Sequence, residues 1–225
     1  MSTRLPTYTP GVRPRMRADE RRTQLLEAAR RVIAQGGLAA LTMESLAIAA
    51  GVSRALVYQH FPDRESLLLA LLEAEWGWLD ERIVPALACT EGLMEQAAAV
   101  IRPYFDAKSE RGPVFAALLL WPRADTPAVS EAMHEYLRRT TRYWTRKVRE
   151  GFDLDEQTAR AFIAVITGAF EGAARQWWFS DRPGRAALEG AYLDVVRATI
   201  THVAMPRRVA RAAARDGSSP TPSRG

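Results

Sequence analysis

Apolar residues recur at helical spacing along most of the chain, and charged residues take the opposite face. In residues 19–35 the apolar side chains lie three and four positions apart, and Gly36-Gly37 ends the pattern. The same periodicity predicts further helices at 42–50, 53–61, 64–84, 91–107, 113–122, 127–150, 155–179 and 185–205. No segment of the sequence alternates apolar and polar residues as a half-buried strand does. The pattern therefore predicts an all-α fold of about nine helices.

The positive charge of the chain is concentrated at its two ends. The formal net charge is +5, yet residues 1–18 and 206–225 each contribute +4, which leaves −3 for residues 19–205. Residues 1–18 lack helical periodicity, and residues 216–225 are a low-complexity polar stretch. We expect four segments: a flexible arginine-rich arm at 1–18, a small domain at 19–66, a larger domain at 67–205, and a basic, partly disordered tail at 206–225.

The sequence indicates a reducing compartment, or a protein indifferent to redox, and predicts no membrane segment. Cys89 is its single cysteine, so no internal disulfide can form. The N-terminal arginines are not followed by the apolar stretch of a secretion signal, and the apolar runs at 67–72 and 114–121 are far shorter than the roughly 20 residues that a membrane span needs. With 48% apolar residues the chain can bury a core. We expect a cytoplasmic protein with no membrane partner.

Two short predicted helices and the turn between them carry the most specific signal. Thr42 is a favourable N-cap for the first helix, Ser53 for the second, and Gly51 supplies a permissive backbone in the turn. Two helices joined in this way are typical of a helix-turn-helix, whose second helix enters the DNA major groove. The spacing predicts that the outer surface of that helix carries Arg54, Ala55, Leu56, Tyr58, Gln59 and His60.

Residues 41–72, LTMESLAIAAGVSRALVYQHFPDRESLLLALL, resemble the N-terminal DNA-binding domain of the TetR/AcrR family of transcriptional regulators. The resemblance is specific over residues 19–72 and only architectural beyond them. It implies sequence-specific binding to a palindromic double-stranded operator, with Ser53 as part of the site. The family's usual phosphate contacts correspond to Thr42, Tyr58, His60 and Arg64. Its usual approaches to base edges correspond to Arg54, Ala55, Leu56 and Gln59.

The chemistry of these side chains leaves alternatives open. Arg54 can bind guanine through two hydrogen bonds, or it can contact a phosphate or stay solvated. Leu56 can pack on a thymine methyl group or help the core of the helix pair. His60 can donate to a phosphate or pack inside. The arginine-rich arm can follow the DNA flank, because residues 19–66 are formally neutral, or it can serve only as a solubilising tail.

The resemblance implies that the larger domain binds a small effector and forms a homodimer. It also implies that the protein is a repressor, which the effector releases from DNA. A two-fold dimer doubles the contacts of one recognition helix. Aromatic side chains between helices suit an apolar or flat molecule. The candidate ligand residues are Tyr104, Phe115, Trp121, His134, Tyr143, Trp144, Phe170, Arg175 and Trp177. The candidate interface residues, from the last two helices, are Phe162, Ile163, Ile166, Phe170, Tyr192, Val195, Val196 and Thr199.

Two other classes of function compete with this interpretation. Glu131 and His134 have the E-x-x-H spacing found in di-iron helical bundles, but the second such pair that these enzymes need is missing from the sequence. We therefore expect no metal, no cofactor and no catalytic residues. The other alternative is a helix-turn-helix regulator that is controlled by a protein partner, or by no small ligand.

Overall fold

The structure, a computed structural model, describes residues 17–120, 127–180 and 182–215, and every regular element in these ranges is helical. The helices are α1 (Ala18–Gly36), α2 (Met43–Ala50), α3 (Arg54–His60), α4 (Arg64–Ala88), α5 (Leu93–Glu110), α6 (Pro113–Phe115), α7 (Pro127–Phe152), α8 (Glu156–Phe179) and α9 (Arg185–Arg215). A 3-10 turn, Leu38–Ala40, precedes α2, and a π-helical turn, Ala116–Leu120, follows α6. The predicted all-α fold is confirmed.

The last helix is longer than its apolar pattern predicts. α9 continues to Arg215, so the first ten residues of the predicted tail at 206–225 are helical. Alanine and arginine dominate this stretch, and both have high helix propensity. Residues 1–16 of the predicted arm and residues 216–225 of the predicted tail lie outside the described residues.

The chain divides into two compact units, which meet in sequence at Arg64 and Glu65. In the first unit, α1 buries Leu25, Ala29 and Ile33 on one face, as its periodicity predicts. Leu46 of α2 and Val57 of α3 are both inaccessible to solvent, so the two short helices share this small core. The Arg31 guanidinium donates to the Ala49 carbonyl (3.1 Å) and ties α1 to the C-terminal end of α2.

The second unit contains the remaining helices, and α5, α8 and α9 share a core. Ile101 and Phe105 of α5 pack with Tyr192 of α9, and Trp177 of α8 packs against them. Trp177 Nε1 donates to the Phe105 carbonyl at 3.1 Å, so this large ring also satisfies its polar atom. An ion pair between Arg102 and Glu189 (2.8 Å) joins α5 and α9 at the surface.

A buried ion pair joins α4 to the end of α5. The Glu75 side chain is inaccessible to solvent, and the Arg111 guanidinium donates to both of its carboxylate oxygens at 2.8 Å. This two-bond geometry satisfies a charge that would be very costly to bury alone.

Candidate nucleic-acid interface and ligand cavity

The outward face of α3 presents a mixed set of polar and apolar side chains. Arg54, Ala55, Tyr58 and Gln59 are exposed, and Tyr58 retains 45% of its accessible surface. Leu56 and His60 are half-buried, so each has part of its side chain on the surface and part against the core. Of the six residues that the helical spacing predicts on the outer surface, four are exposed and two are half-buried.

Gly51 determines how α2 is followed by α3. Its backbone is left-handed (φ 65°, ψ 37°), a conformation that costs other residues about 1 kcal/mol or more. The backbone N–H groups of Gly51 and Val52 donate to the Ile48 and Ala47 carbonyls at 3.1 and 3.0 Å, which closes the end of α2. The chain can then turn at once into α3.

The hydroxyl groups of Thr42 and Ser53 cap the two helices. Thr42 Oγ1 accepts from the Ser45 N–H at 3.0 Å, and Ser53 Oγ accepts from the Leu56 N–H at 3.2 Å. Both residues are exposed. Because a hydroxyl that accepts one hydrogen bond keeps its own hydrogen for donation, each can also donate to a phosphate oxygen.

Arg64 forms two hydrogen bonds within the chain. Its Nε donates to the Leu41 carbonyl at 2.7 Å and its Nη2 to the Leu38 carbonyl at 2.9 Å. The partly buried guanidinium thus holds the segment before α2 in place. These two bonds use only part of the donors of the guanidinium, and the phosphate contact that the resemblance implies for Arg64 stays a prediction.

A cavity of about 480 Å³ lies among α4, α5, α7, α8 and α9 of the second unit. This volume is within the range of small-molecule sites, roughly 300–1,000 Å³. Each of the five helices contributes a row of residues at helical spacing. Examples are Ile83, Val84 and Leu87 of α4, and Ala97 and Val100 of α5. The walls are mainly aliphatic and aromatic, so the cavity suits a largely apolar molecule.

Four of these rows carry polar residues at or near one of their ends. Asp80 begins the α4 row, Tyr104 ends the α5 row, Tyr136 and Arg139 stand in the first part of the α7 row, and Glu171 ends the α8 row. Burial of the hydroxyl raises the pKa of Tyr104 well above its ordinary value, and Tyr136, Asp80 and Glu171 add to the rise. Burial also raises the pKa of Tyr136, which bonds to the Tyr104 hydroxyl. One end of the cavity is therefore polar, and the opposite end is apolar.

Four of the nine candidate ligand residues line the cavity: Tyr104, Tyr143, Trp144 and Phe170. Phe115 and Trp177 do not line it and pack instead in core clusters that adjoin it. His134 and Arg175 are exposed and do not line it. Trp121 lies outside the described residues. Aromatic residues occur both in the core and in the wall of the cavity, and their spacing along the chain does not show which of the two a given residue belongs to.

The structure adds polar lining residues that the sequence did not single out: Asp80, Tyr136, Arg139, Thr140, Thr167 and Glu171. A signal for Asp80 exists in the sequence. It lies three, four and seven positions before Ile83, Val84 and Leu87, so a carboxylate heads an otherwise aliphatic helical row.

The candidate interface residues divide between the core and the surface. Ile163, Tyr192 and Val196 are buried within the chain, and Ile166 and Phe170 pack against the α5 core and line the cavity. These five side chains face inward, because the apolar stripes of α8 and α9 pack against the core of their own unit. Val195 is exposed, and Phe162 and Thr199 are half-buried. Val165, which was not among the candidates, is 63% exposed.

Two further properties concern the described part of the chain. Within residues 17–120, 127–180 and 182–215, no three His, Cys, Asp or Glu side chains gather as a metal site would require. Among those same residues, no helix combines the length and the apolar character of a membrane span.

Comparison with known proteins agrees with the architecture. The family model for bacterial regulatory proteins, tetR family, matches residues 25–71. The HTH-type transcriptional regulator BetI of Rhizobium meliloti is 32% identical over 161 residues, 67% of this chain and 76% of that protein. The HTH-type transcriptional activator FasR of Mycolicibacterium smegmatis is 27% identical over 195 residues, 86% of this chain and 89% of that protein.

A solved structure shares the fold. The transcriptional regulator FadR of Bacillus subtilis, in complex with stearoyl-CoA, has a TM-score of 0.64 at 22% identity, covering 77% of this chain and 96% of that chain. The matching relatives are transcriptional regulators and not enzymes. With a relative above 30% identity over most of its length, and with α2, the Gly51 turn and α3 in helix-turn-helix geometry, the chain belongs to the TetR family of transcriptional regulators.

Proposed function

We propose that this regulator represses transcription by placing α3 in the major groove of a palindromic operator, and that a small molecule in the cavity releases it. The exposed α3 surface formed by Arg54, Ala55, Tyr58 and Gln59 carries the first half of the proposal, because these side chains are free of the core. As a DNA-binding protein it would act in the cytoplasm. One relative is named an activator, so the direction of regulation is part of what must be tested.

The α3 side chains divide between base reading and phosphate binding. Arg54, in the first turn of α3, has the fork of donors that fits guanine O6 and N7. Gln59 can read adenine, the exposed part of Leu56 can pack on a thymine methyl group, and the small Ala55 lets the helix approach the base edges. Tyr58 and His60, together with the hydroxyls of Thr42 and Ser53, supply phosphate donors.

Selection of bound DNA from a random pool tests the first half. We expect a palindrome of two half-sites whose centres are separated by a multiple of the helical turn. Arg54→Ala should cost about 1–3 kcal/mol of binding and relax the preference at one position per half-site. Tyr58→Phe should weaken binding to all sequences alike. Arg142→Ala, which removes a 69% exposed arginine of the second unit, is the matched control and should leave binding unchanged. Failure to enrich any sequence would contradict the proposal.

The cavity carries the second half of the proposal. It is the size of a small-molecule site, its walls are mainly apolar, and α4 contributes Asp80, Ile83, Val84 and Leu87 to them. The same helix begins at Arg64, whose side chain holds the segment before α2. A ligand that fits one arrangement of α4 better than another would shift the population between DNA-binding and released forms.

Thermal melting against a panel of apolar small molecules, followed by operator-binding measurements, tests this half. Val84 is 59% exposed where it lines the cavity, so Val84→Trp should obstruct the cavity without disturbing the core. We expect a molecule that stabilises the protein and weakens operator binding, and we expect Val84→Trp to abolish both effects. A stable protein that binds its operator but responds to none of these molecules would favour control by a protein partner. A reporter gene placed after the operator gives the sign of regulation.

We also propose that a homodimer forms through the outer faces of α8 and α9. Dimers are typical of this family, and Val165 and Val195 are large apolar side chains left exposed on these two helices. Phe162 and Thr199 border this face, and Ile163, Tyr192 and Val196 support it from within. The double variant Val165→Arg/Val195→Arg should be a folded monomer by light scattering, whereas Val165→Thr/Val195→Thr should remain a dimer. An arginine variant that is still dimeric would place the interface elsewhere.

A further inference from the structure

We infer that the effector of this cavity is an amphiphile with a cationic head group and an apolar tail. The inference rests on the proposed function, in which the cavity binds a small effector, and it specifies the chemical class of that effector. The observations behind it are the order of residues along the cavity rows, the charges at the polar end, and the aromatic rings that surround them.

The helical rows give the cavity a direction. α4 runs from Asp80 to Leu87 along the wall, and α8 runs from Ile163 to Glu171. The two acidic residues thus stand at one end of their rows, and aliphatic residues stand at the other. The α5 row runs from Leu93 to Tyr104, about 16 Å at the helical rise. An extended apolar tail can therefore lie along the rows while its head stays at the acidic end.

The charge at the polar end is net negative. Asp80 and Glu171 form no salt bridge with any residue that the structure describes, whereas many other acids of the second unit are paired with arginines. Arg139 is the single cation among the described lining residues, and all three charged residues, Asp80, Glu171 and Arg139, are exposed at the rim of the cavity. Two carboxylates and one guanidinium leave a formal charge of −1 at the cavity. A carboxylate or phosphate head would meet this negative charge, whereas an ammonium head would be attracted.

Aromatic rings surround the same end. The Tyr104 ring packs edge-on against Phe170, with centroids 4.6 Å apart. Tyr136 also lines the cavity, and its ring stacks on Trp76 with centroids 4.7 Å apart. An organic cation near the face of an aromatic ring is attracted by the ring's negative face, more strongly when water is excluded. The carboxylates also contribute to the raised pKa of Tyr104, so their negative field reaches the buried hydroxyl.

Probes that share one tail and differ in head charge test the inference. We would titrate the full-length protein calorimetrically with decyltrimethylammonium, decyldimethylamine oxide, decanoate and decanoyl-CoA, each below its micelle concentration. We expect the cation to bind about tenfold more tightly than the neutral amine oxide, and the two anions to bind more weakly still. Added salt should weaken the cation most.

Paired variants separate the head-group effect from a general loss of the site. Asp80→Asn/Glu171→Gln should lower the affinity for the cation about tenfold and leave the affinity for the amine oxide within about twofold. Glu131→Gln/Asp194→Asn removes two exposed acids that do not line the cavity, and it should change neither affinity.

The possible failures are distinguishable. If an anionic probe binds as tightly as the cation, or if the Asp80→Asn/Glu171→Gln variant binds the cation as well as the natural protein does, the inference about the head group is wrong. If Val84→Trp still blocks binding in that case, the proposed effector cavity stands. If none of the probes binds while operator selection succeeds, both the head-group inference and the effector half of the proposed function are overturned.

Discussion

Removing Arg111 should destabilise the second unit far more than removing an exposed arginine that forms an ion pair of the same length. Glu75 has no accessible surface and receives two bonds of 2.8 Å from Arg111. Arg111→Met leaves the carboxylate buried without these donors, which costs about 3–5 kcal/mol. With a urea dependence of about 2 kcal/mol per molar, the unfolding midpoint should fall by about 1.5–2.5 M.

The matched control is Arg102→Met. Arg102 also bonds to a glutamate, Glu189, at 2.8 Å, but its side chain is 59% exposed, so this substitution should cost less than about 1 kcal/mol. The double variant Glu75→Met/Arg111→Met replaces both buried charges with apolar groups and should recover most of the lost stability. The measurement is urea unfolding followed by circular dichroism. Equal losses for Arg111→Met and Arg102→Met, or a double variant as unstable as Arg111→Met alone, would refute the reasoning.

Three further predictions concern the ends of helices. Arg64→Met should lower the free energy of unfolding by about 2 kcal/mol, because two backbone carbonyls lose a charged donor; a loss of DNA affinity with unchanged stability would instead support a phosphate contact. Ser53→Ala should destabilise α3 by about 1 kcal/mol in urea unfolding, whereas Ser53→Asp should keep the cap. The backbone N–H of Thr158 lowers the pKa of Asp155, so its stabilising effect is present above its unfolded-state pKa and is lost as the pH falls through the lowered value. Melting temperatures from pH 7 to pH 2 should show a smaller acid loss in Asp155→Asn, and an unchanged profile would contradict this assignment.

The helix-turn-helix could be predicted from the sequence because its determinants are local. Thr42 and Ser53 cap the helices that follow them, and Gly51 adopts the left-handed conformation that the turn requires. The inward and outward faces of α3 follow from a seven-residue helix with Val57 at its centre. These interactions join residues only three to five positions apart, so they can be recognised in the sequence. The two short helices and the exposed residues of α3 therefore match their prediction closely.

The cavity was only partly predictable because its walls come from five helices that are distant in sequence. Tyr104, Tyr143, Trp144 and Phe170 were predicted and do line it, but Phe115 has the same chemistry and packs in the core. The choice between the two depends on which face of a helix meets which neighbour. An apolar stripe does not contain that information.

Arg64 and the apolar stripes of α8 and α9 also show that the sequence does not determine which partners an individual residue contacts. The sequence by itself determined the all-helical fold, the ends of the short helices and the outward face of α3, because hydrogen bonds and periodicity act within one helix or turn. Only the tertiary structure decided that Arg64 bonds to Leu41 across 23 positions, that Ile163 and Tyr192 are core residues, and that Asp80 and Glu171 share one cavity. These pairings depend on how packed helices are arranged, which is set by the fit of whole helical faces.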